Sequence, residues 1–246
     1  MHITQKAGHT RFVSFSGIDG AGKSTQIENL CARIEEQGLR VRQIKFWDDI
    51  ARLKKLRETT GHAVFKGDKG VGSPSMPINR RDKNIQSLPM TAVRLFIYLV
   101  DAVSTRIAVK KALGSNSADL VIFDRYIYDE LANLNLRNPL IRGYAWLIIK
   151  LVPKPHIRYL LDADPVKARA RKPEYPLEFL HANRQSYLTL SKLVGMNIIA
   201  PLPIPDVKQE VVALAFNELA VSTNLTSVPT DCGSPKLDGS HARPAA

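Results

Sequence analysis

The chain has 246 residues, 44 % hydrophobic and 24 % charged, enough for one full core and too apolar for a wholly disordered chain. Lys and Arg outnumber Asp and Glu by 35 to 23, which favours anionic partners such as nucleotides, phosphorylated metabolites or nucleic acid. Two lone cysteines, Cys31 and Cys232, exclude a disulfide scaffold and, without histidines at ligand spacing, a structural zinc site.

Residues 1–10 read as a loose leader. Arg11–Gly17 (RFVSFSG) is β-rich and stops at a glycine. From Lys23 to about Gln37, Ile27, Leu30, Cys31 and Ile34 recur at i, i+3, i+4, i+7, which is one helical face. Gly38 ends that helix. Leu39–Trp47 is a second strand, followed by a helical stretch from about Asp49 to Glu58. Residues 61–87 read as a long basic loop, of the length that usually serves as a lid or binding loop or else is disordered. Pro89–Leu113 is a long helix. Its apolar stripe (Ala92, Leu95, Phe96, Leu99, Val103, Ile107) is expected to face the core, and its opposite stripe (Arg94, Tyr98, Asp101, Thr105) a cleft or solvent. Asp119–Asp124 (DLVIFD) has the continuous apolar run of a buried parallel strand. Helices follow over Ile127–Leu136 and Pro139–Leu151, then a strand over His156–Asp162. Asp164–Lys172 and Leu177–Val194 are helical, Met196–Pro201 is the last strand and Asp206–Ala220 the last helix.

Strands alternate with helices throughout, which predicts an α/β fold with a doubly wound parallel sheet over residues 11–221. From 222 to 246 the chain is rich in Ser, Thr, Pro and Gly without periodicity, and reads as a disordered tail. The longest apolar runs fall far short of the ~20 residues that a membrane span needs. Residues 1–12 have no signal-peptide core. A cytoplasmic protein without a membrane partner is expected.

The strongest motif is Gly17-Ile-Asp-Gly-Ala-Gly-Lys-Ser24. It satisfies G-x-x-x-x-G-K-[ST] and lies between a predicted strand and a predicted helix, the context in which that pattern binds phosphate. Gly17, Asp19, Gly20, Ala21, Gly22, Lys23, Ser24 and Thr25 are the candidate nucleotide contacts. The glycines let backbone N–H groups point inward, and the helix N-terminus adds positive potential. Lys23 is expected at the β- and γ-phosphates of ATP, and Ser24 on Mg²⁺. Asp124, directly after an apolar strand, is the second candidate for the metal. Cations on separate loops (Lys23, Arg125, Arg169 and Arg171) suit phosphoryl transfer, which needs in-line positioning and charge stabilisation.

Phe15–Gln26 (FSGIDGAGKSTQ) resembles the P-loop of thymidylate kinases. Asp124-Arg125-Tyr126 is similar to that family's DRY motif. Leu160–Pro165 (LLDADP) with Arg169 and Arg171 resembles its LDxDP strand and arginine-bearing lid, here 164–176, and Leu177–Leu190 the helix after the lid. The resemblance covers about residues 11–220 and implies a P-loop kinase fold with ATP:nucleoside-monophosphate phosphotransfer. It implies Asp19 near the acceptor sugar, Arg125 on the acceptor phosphate and Tyr98 on the acceptor base. Trp47, Arg52 and Asp129 lie in segments that depart from the family pattern and are further candidate acceptor contacts. Homodimers are common in that family. Gly20 stands where some members carry arginine, which shifts charge stabilisation to the lid. The acceptor half departs from the pattern: Asp101 is followed by Ala102 rather than arginine, and IYDELANLNLR follows the DRY motif.

Two other readings use the same residues. One is a P-loop kinase for a different phosphorylated or anionic acceptor. The other is a nucleotide-dependent nucleic-acid-binding module, since twelve Lys and Arg against five acids lie between Arg40 and Lys83 and could track a nucleic-acid backbone. Aromatic residues are sparse there, so a stacking platform is weakly supported and nucleic acid is not the expected partner.

Overall fold

The computed structural model describes residues 10–51, 88–115 and 117–224. Five strands pair in parallel: β1 (Arg11–Ser16), β2 (Val41–Lys45), β3 (Leu120–Asp124), β4 (Ile157–Leu161) and β5 (Asn197–Ile199). Their order across the sheet is β2-β3-β1-β4-β5. Parallel neighbours cannot be closed by a tight turn, so helices carry the chain back over the sheet. These are α1 (Lys23–Glu35), α2 (Leu88–Gly114), α3 (Ile127–Leu131), α4 (Pro139–Leu151), α5 (Pro165–Arg171), α6 (Leu177–Val194) and α7 (Ile204–Asn224). The doubly wound reading holds.

Alternation along the strands divides the core into two layers. Phe12, Val121, Phe123 and Leu160 face α2, α3, α4 and α6. Val13, Phe15, Leu120, Ile122 and Tyr159 face α1 and α7. Phe15 stacks on Tyr159 with ring centroids 4.5 Å apart. Full burial of one such side chain is worth about 1.5–3 kcal/mol. Helix ends follow local chemistry. Asn138 caps α4 by accepting the Leu140 N–H at 2.9 Å, with Pro139 in the first turn, and Asp164 caps α5 by accepting the Lys167 N–H at 2.9 Å. Gly195, at φ 66°, stops α6.

Two expectations need correction. The second strand ends at Lys45 rather than Trp47. Phe46–Ile50 winds into a π-helical turn, and the Lys45 N–H is taken by the Asp49 carboxylate at 2.7 Å. The orientation of the long helix α2 is the reverse of the expected one. Phe96, Leu99, Val103 and Ile107 are 40–62 % exposed, whereas Arg94, Tyr98, Asp101 and Thr105 are buried with Ile97 and Ala102. Cys31, on the apolar face of α1, is half-buried against that layer. Arg52, the 61–87 loop, most of the Asp49–Glu58 stretch, residues 1–9 and residues 225–246 lie outside the described residues. Among the described residues no helix is long and apolar enough to cross a membrane.

Candidate active site

Ligands of open parallel sheets bind at the carboxyl ends of the strands, and the P-loop, Asp124 and Arg125 lie there. β1 leads into the P-loop and Lys23 opens α1. The cap position, Gly22, has no side chain to satisfy the first-turn N–H groups, and that turn carries no acid, so the donors and the positive end of the helix dipole are free for an anion. Ser24 and Thr25 are exposed on this turn. Two of the glycines are required by close approach. A Cβ on Gly17 would come within 2.5 Å of the Leu161 carbonyl oxygen, and one on Gly20 would collide with the carbonyl of Ala168 in α5. Gly20 is therefore small because α5 lies directly on the loop, and no arginine fits at that position.

Lys23 is 6 % exposed. Its Nζ donates to the carbonyl oxygens of Gly17 at 2.7 Å and Ile18 at 2.9 Å. Burial, and secondarily the Arg125 charge, push its pKa down to about 7, against the opposing pull of Asp19, Asp129 and Asp124. Three carboxylates therefore surround two cations in this cleft.

Arg125 follows β3. At φ 70° it is the only non-glycine residue with positive φ among the described residues. Such a backbone costs on the order of 1–3 kcal/mol and persists only where the surroundings fix it. Here they do: the Arg125 N–H donates to the Phe15 carbonyl at 3.0 Å. Its guanidinium pairs through one Nη with Asp19 of the P-loop and through the other with Asp129 Oδ1 at 3.3 Å. Burial works against the arginine charge, but Asp19 and Asp129 outweigh it and hold its pKa up.

Asp129, expected as an acceptor contact, is instead fully enclosed. Its Oδ2 accepts from Ser16 Oγ at 2.7 Å and the Tyr126 N–H at 3.0 Å. Its Oδ1 accepts from Tyr187 Oη at 2.8 Å as well as from Arg125. Asn133, its i+4 neighbour, donates to the Asp129 carbonyl at 3.0 Å. Both residues are occupied by the fold.

Arg169 and Arg171 stand exposed on α5. Arg169 Nε donates to the Tyr175 carbonyl at 3.1 Å and Arg171 Nε to the Lys167 carbonyl at 3.3 Å. Asp124 is half-buried at the end of β3 and acts electrostatically on both Lys23 and Arg125. Tyr98 is buried on the inner face of α2. Trp47 is half-buried, edge-on to Phe46 with centroids 5.1 Å apart. Sequence reasoning missed Ser16, Tyr187 and the bidentate pair in which Arg184 Nε and Nη hold the two oxygens of Asp162 at 2.6 Å. Only the last had a local signal, an arginine on the helix that follows LLDADP.

A parallel sheet in this order, a P-loop after its central strand and an arginine at the end of the adjacent strand define a P-loop nucleotide kinase. A family model described as "Methylmalonyl Co-A mutase-associated GTPase MeaB" matches only residues 1–46, the stretch that contains the P-loop. Similarity to whole proteins extends much further. The chain is 31 % identical to a "Probable thymidylate kinase" of Pyrococcus abyssi over 221 residues, covering 85 % of this chain and 97 % of that protein. It is 27 % identical to a "Probable thymidylate kinase" of Pyrobaculum calidifontis over 217 residues, with the same coverage of each chain. It is 29 % identical to a "Thymidylate kinase" of Bifidobacterium longum over 192 residues, 73 % of this chain and 83 % of that one. The chain belongs to the thymidylate kinase family, and it is a phosphotransferase.

Proposed function

We propose that the protein transfers the γ-phosphoryl group of ATP to thymidylate (dTMP), giving dTDP. The observation that carries this reading is the Arg125–Asp19 pair beside Lys23. It brings the arginine that we assign to the acceptor phosphate and the carboxylate that we assign to the acceptor sugar next to Lys23 of the donor loop.

The P-loop N–H groups and Lys23 hold the donor phosphates. Lys23 leaves the Gly17 and Ile18 carbonyls for the phosphates, where its charge is restored. Arg125 orients the acceptor phosphate for in-line attack, and Asp19 faces the acceptor sugar. Tyr98 supplies an aromatic surface for the base from α2. Ser24 and Asp124 fit a Mg²⁺ ion: a hydroxyl on the first turn of α1 and a carboxylate at the adjacent strand end, both oxygen donors of the kind that ion prefers. Bound there, the ion would neutralise phosphate charge. Arg169 or Arg171 swings from its backbone carbonyl over the transferring group, supplying the cation that Gly20 leaves no room for.

The protein works as a homodimer. Phe96, Leu99, Val103 and Ile107 follow a 3-4-4 spacing along α2 and stay exposed, the pattern of a helix seam that meets a second helix.

A second acceptor is favoured by one observation. Position 102 is a fully buried alanine where the family pattern has an arginine, which weakens charge pairing in the acceptor half. Initial rates of ADP release with a panel of nucleoside monophosphates and sugar phosphates distinguish the readings. The highest kcat/KM with dTMP supports the proposal, and turnover only with another acceptor replaces it.

A further inference from the structure

Phosphoryl transfer by Lys23, Arg125 and the lid leaves one buried contact without a use. Tyr187, on the helix that follows the lid, reaches across to Asp129, 58 residues away in sequence, and donates its phenolic proton to Oδ1 at 2.8 Å. Tyr187 is 2 % exposed and the Asp129 side chain is wholly enclosed. The same oxygen also receives Arg125, but at 3.3 Å, long for a charged pair. The other oxygen is taken by Ser16 and the Tyr126 N–H.

We infer that Asp129 and Tyr187 are positioning residues that set how far the Arg125 guanidinium stands forward in the cleft. The inference rests on the proposed role of Arg125 as the acceptor-phosphate cation. A buried carboxylate beside an arginine ordinarily draws it into a short, bidentate pair. Asp129 cannot, because three other donors fill its lone pairs and Tyr187 competes for the oxygen that faces Arg125. The guanidinium is thus fixed at its base by one long bond, and its other Nη stays turned toward Asp19 and the P-loop. Burial and the Asp129 charge hold the Tyr187 pKa well above its usual value, so the phenol remains a donor at any working pH. Removing the hydroxyl frees Oδ1, lets Asp129 pull Arg125 back, and withdraws it from an incoming phosphate.

The test is a double-mutant cycle on the full chain with Tyr187→Phe and Arg125→Ala. Tyr187→Phe is expected to raise the acceptor KM and to lower kcat/KM for dTMP about tenfold or more, the scale of a hydrogen bond to a charged group. The KM for ATP should stay within a factor of about two, because the acceptor arginine alone is displaced. With Arg125→Ala already present, Tyr187→Phe should cost nothing further. Additive losses, or equal changes in both KM values, would overturn the inference by showing a purely structural role. If Tyr187→Phe does not fold by circular dichroism, Asp129→Asn takes its place in the cycle. If the wild type does not turn over dTMP, the acceptor reading fails on its own, and the positioning role is read from the Arg125 Nε–H resonance, assigned by its loss in Arg125→Lys. A shift of that resonance in Tyr187→Phe supports the inference, and an unmoved resonance overturns it.

Discussion

Nucleotide binding is expected to draw a proton from solvent, with Lys23 as the group that takes it up. In the free protein this lysine is buried against two loop carbonyls, and its pKa falls from 10.5 to about 7. Above about pH 7 the neutral form of Lys23 is therefore the favoured one. Donor phosphates favour the charged form and restore the proton. Between about 7 and 10.5 the nucleotide dissociation constant should rise about tenfold per pH unit. Calorimetry of ATP binding at pH 8 in buffers of different ionisation enthalpy should report uptake close to one proton, and far less at pH 6. The folding sign is fixed by the same shift. Within that window the unfolded chain holds a proton that the folded chain has shed, so stability rises with pH by on the order of 1.4 kcal/mol per unit. Lys23→Met should melt higher at pH 7, lose the stability slope and lose turnover. Proton uptake that survives in Lys23→Met, or wild-type binding independent of buffer, would refute the reasoning.

Gly20→Ala should destabilise the fold by about 1–3 kcal/mol, since it adds a left-handed Cβ against the Ala168 carbonyl; thermal melting reads this, and an unchanged melting temperature would mean that α5 does not rest on the loop. Arg169→Lys and Arg171→Lys separate the lid arginines. One of them should lower kcat by on the order of 10²-fold with little change in the KM for ATP, because a lysine cannot reproduce the planar fork; steady-state rates check this. Val103→Glu on the exposed stripe of α2 should halve the solution mass by light scattering while the circular dichroism spectrum stays unchanged.

Local chemistry made much of the fold legible. The apolar runs of β1, β3 and β4 and the turn signals between them dictate a buried parallel sheet, and the P-loop pattern needs only its strand and helix to be placed. Arg125 was legible because it directly follows a strand. The orientation of α2 was not. The apolar stripe of a helix normally marks its buried side, but Arg94, Tyr98, Asp101 and Thr105 turn inward with Ile97 and Ala102, and Phe96, Leu99, Val103 and Ile107 stay exposed. Asp129 misled for a related reason. Its i−4 relation to Arg125 is visible in the sequence, whereas the donors that enclose it come from Ser16 and Tyr187, on elements 113 and 58 residues away. Gly20 reads in sequence as a missing arginine. Its cause, the α5 backbone lying on the loop, is a tertiary contact that no local pattern encodes.

We propose that the P-loop and Arg125 together phosphorylate a nucleoside monophosphate, with dTMP the preferred acceptor. The most direct measurement is ³¹P NMR of the purified protein with ATP, Mg²⁺ and dTMP. Growth of dTDP and ADP resonances in equal amounts is expected, abolished in Lys23→Ala and slowed on the order of 10²-fold in Arg125→Ala while circular dichroism shows both variants folded. ADP formed without any phosphorylated acceptor, or dTDP formed at the wild-type rate by Arg125→Ala, would contradict it.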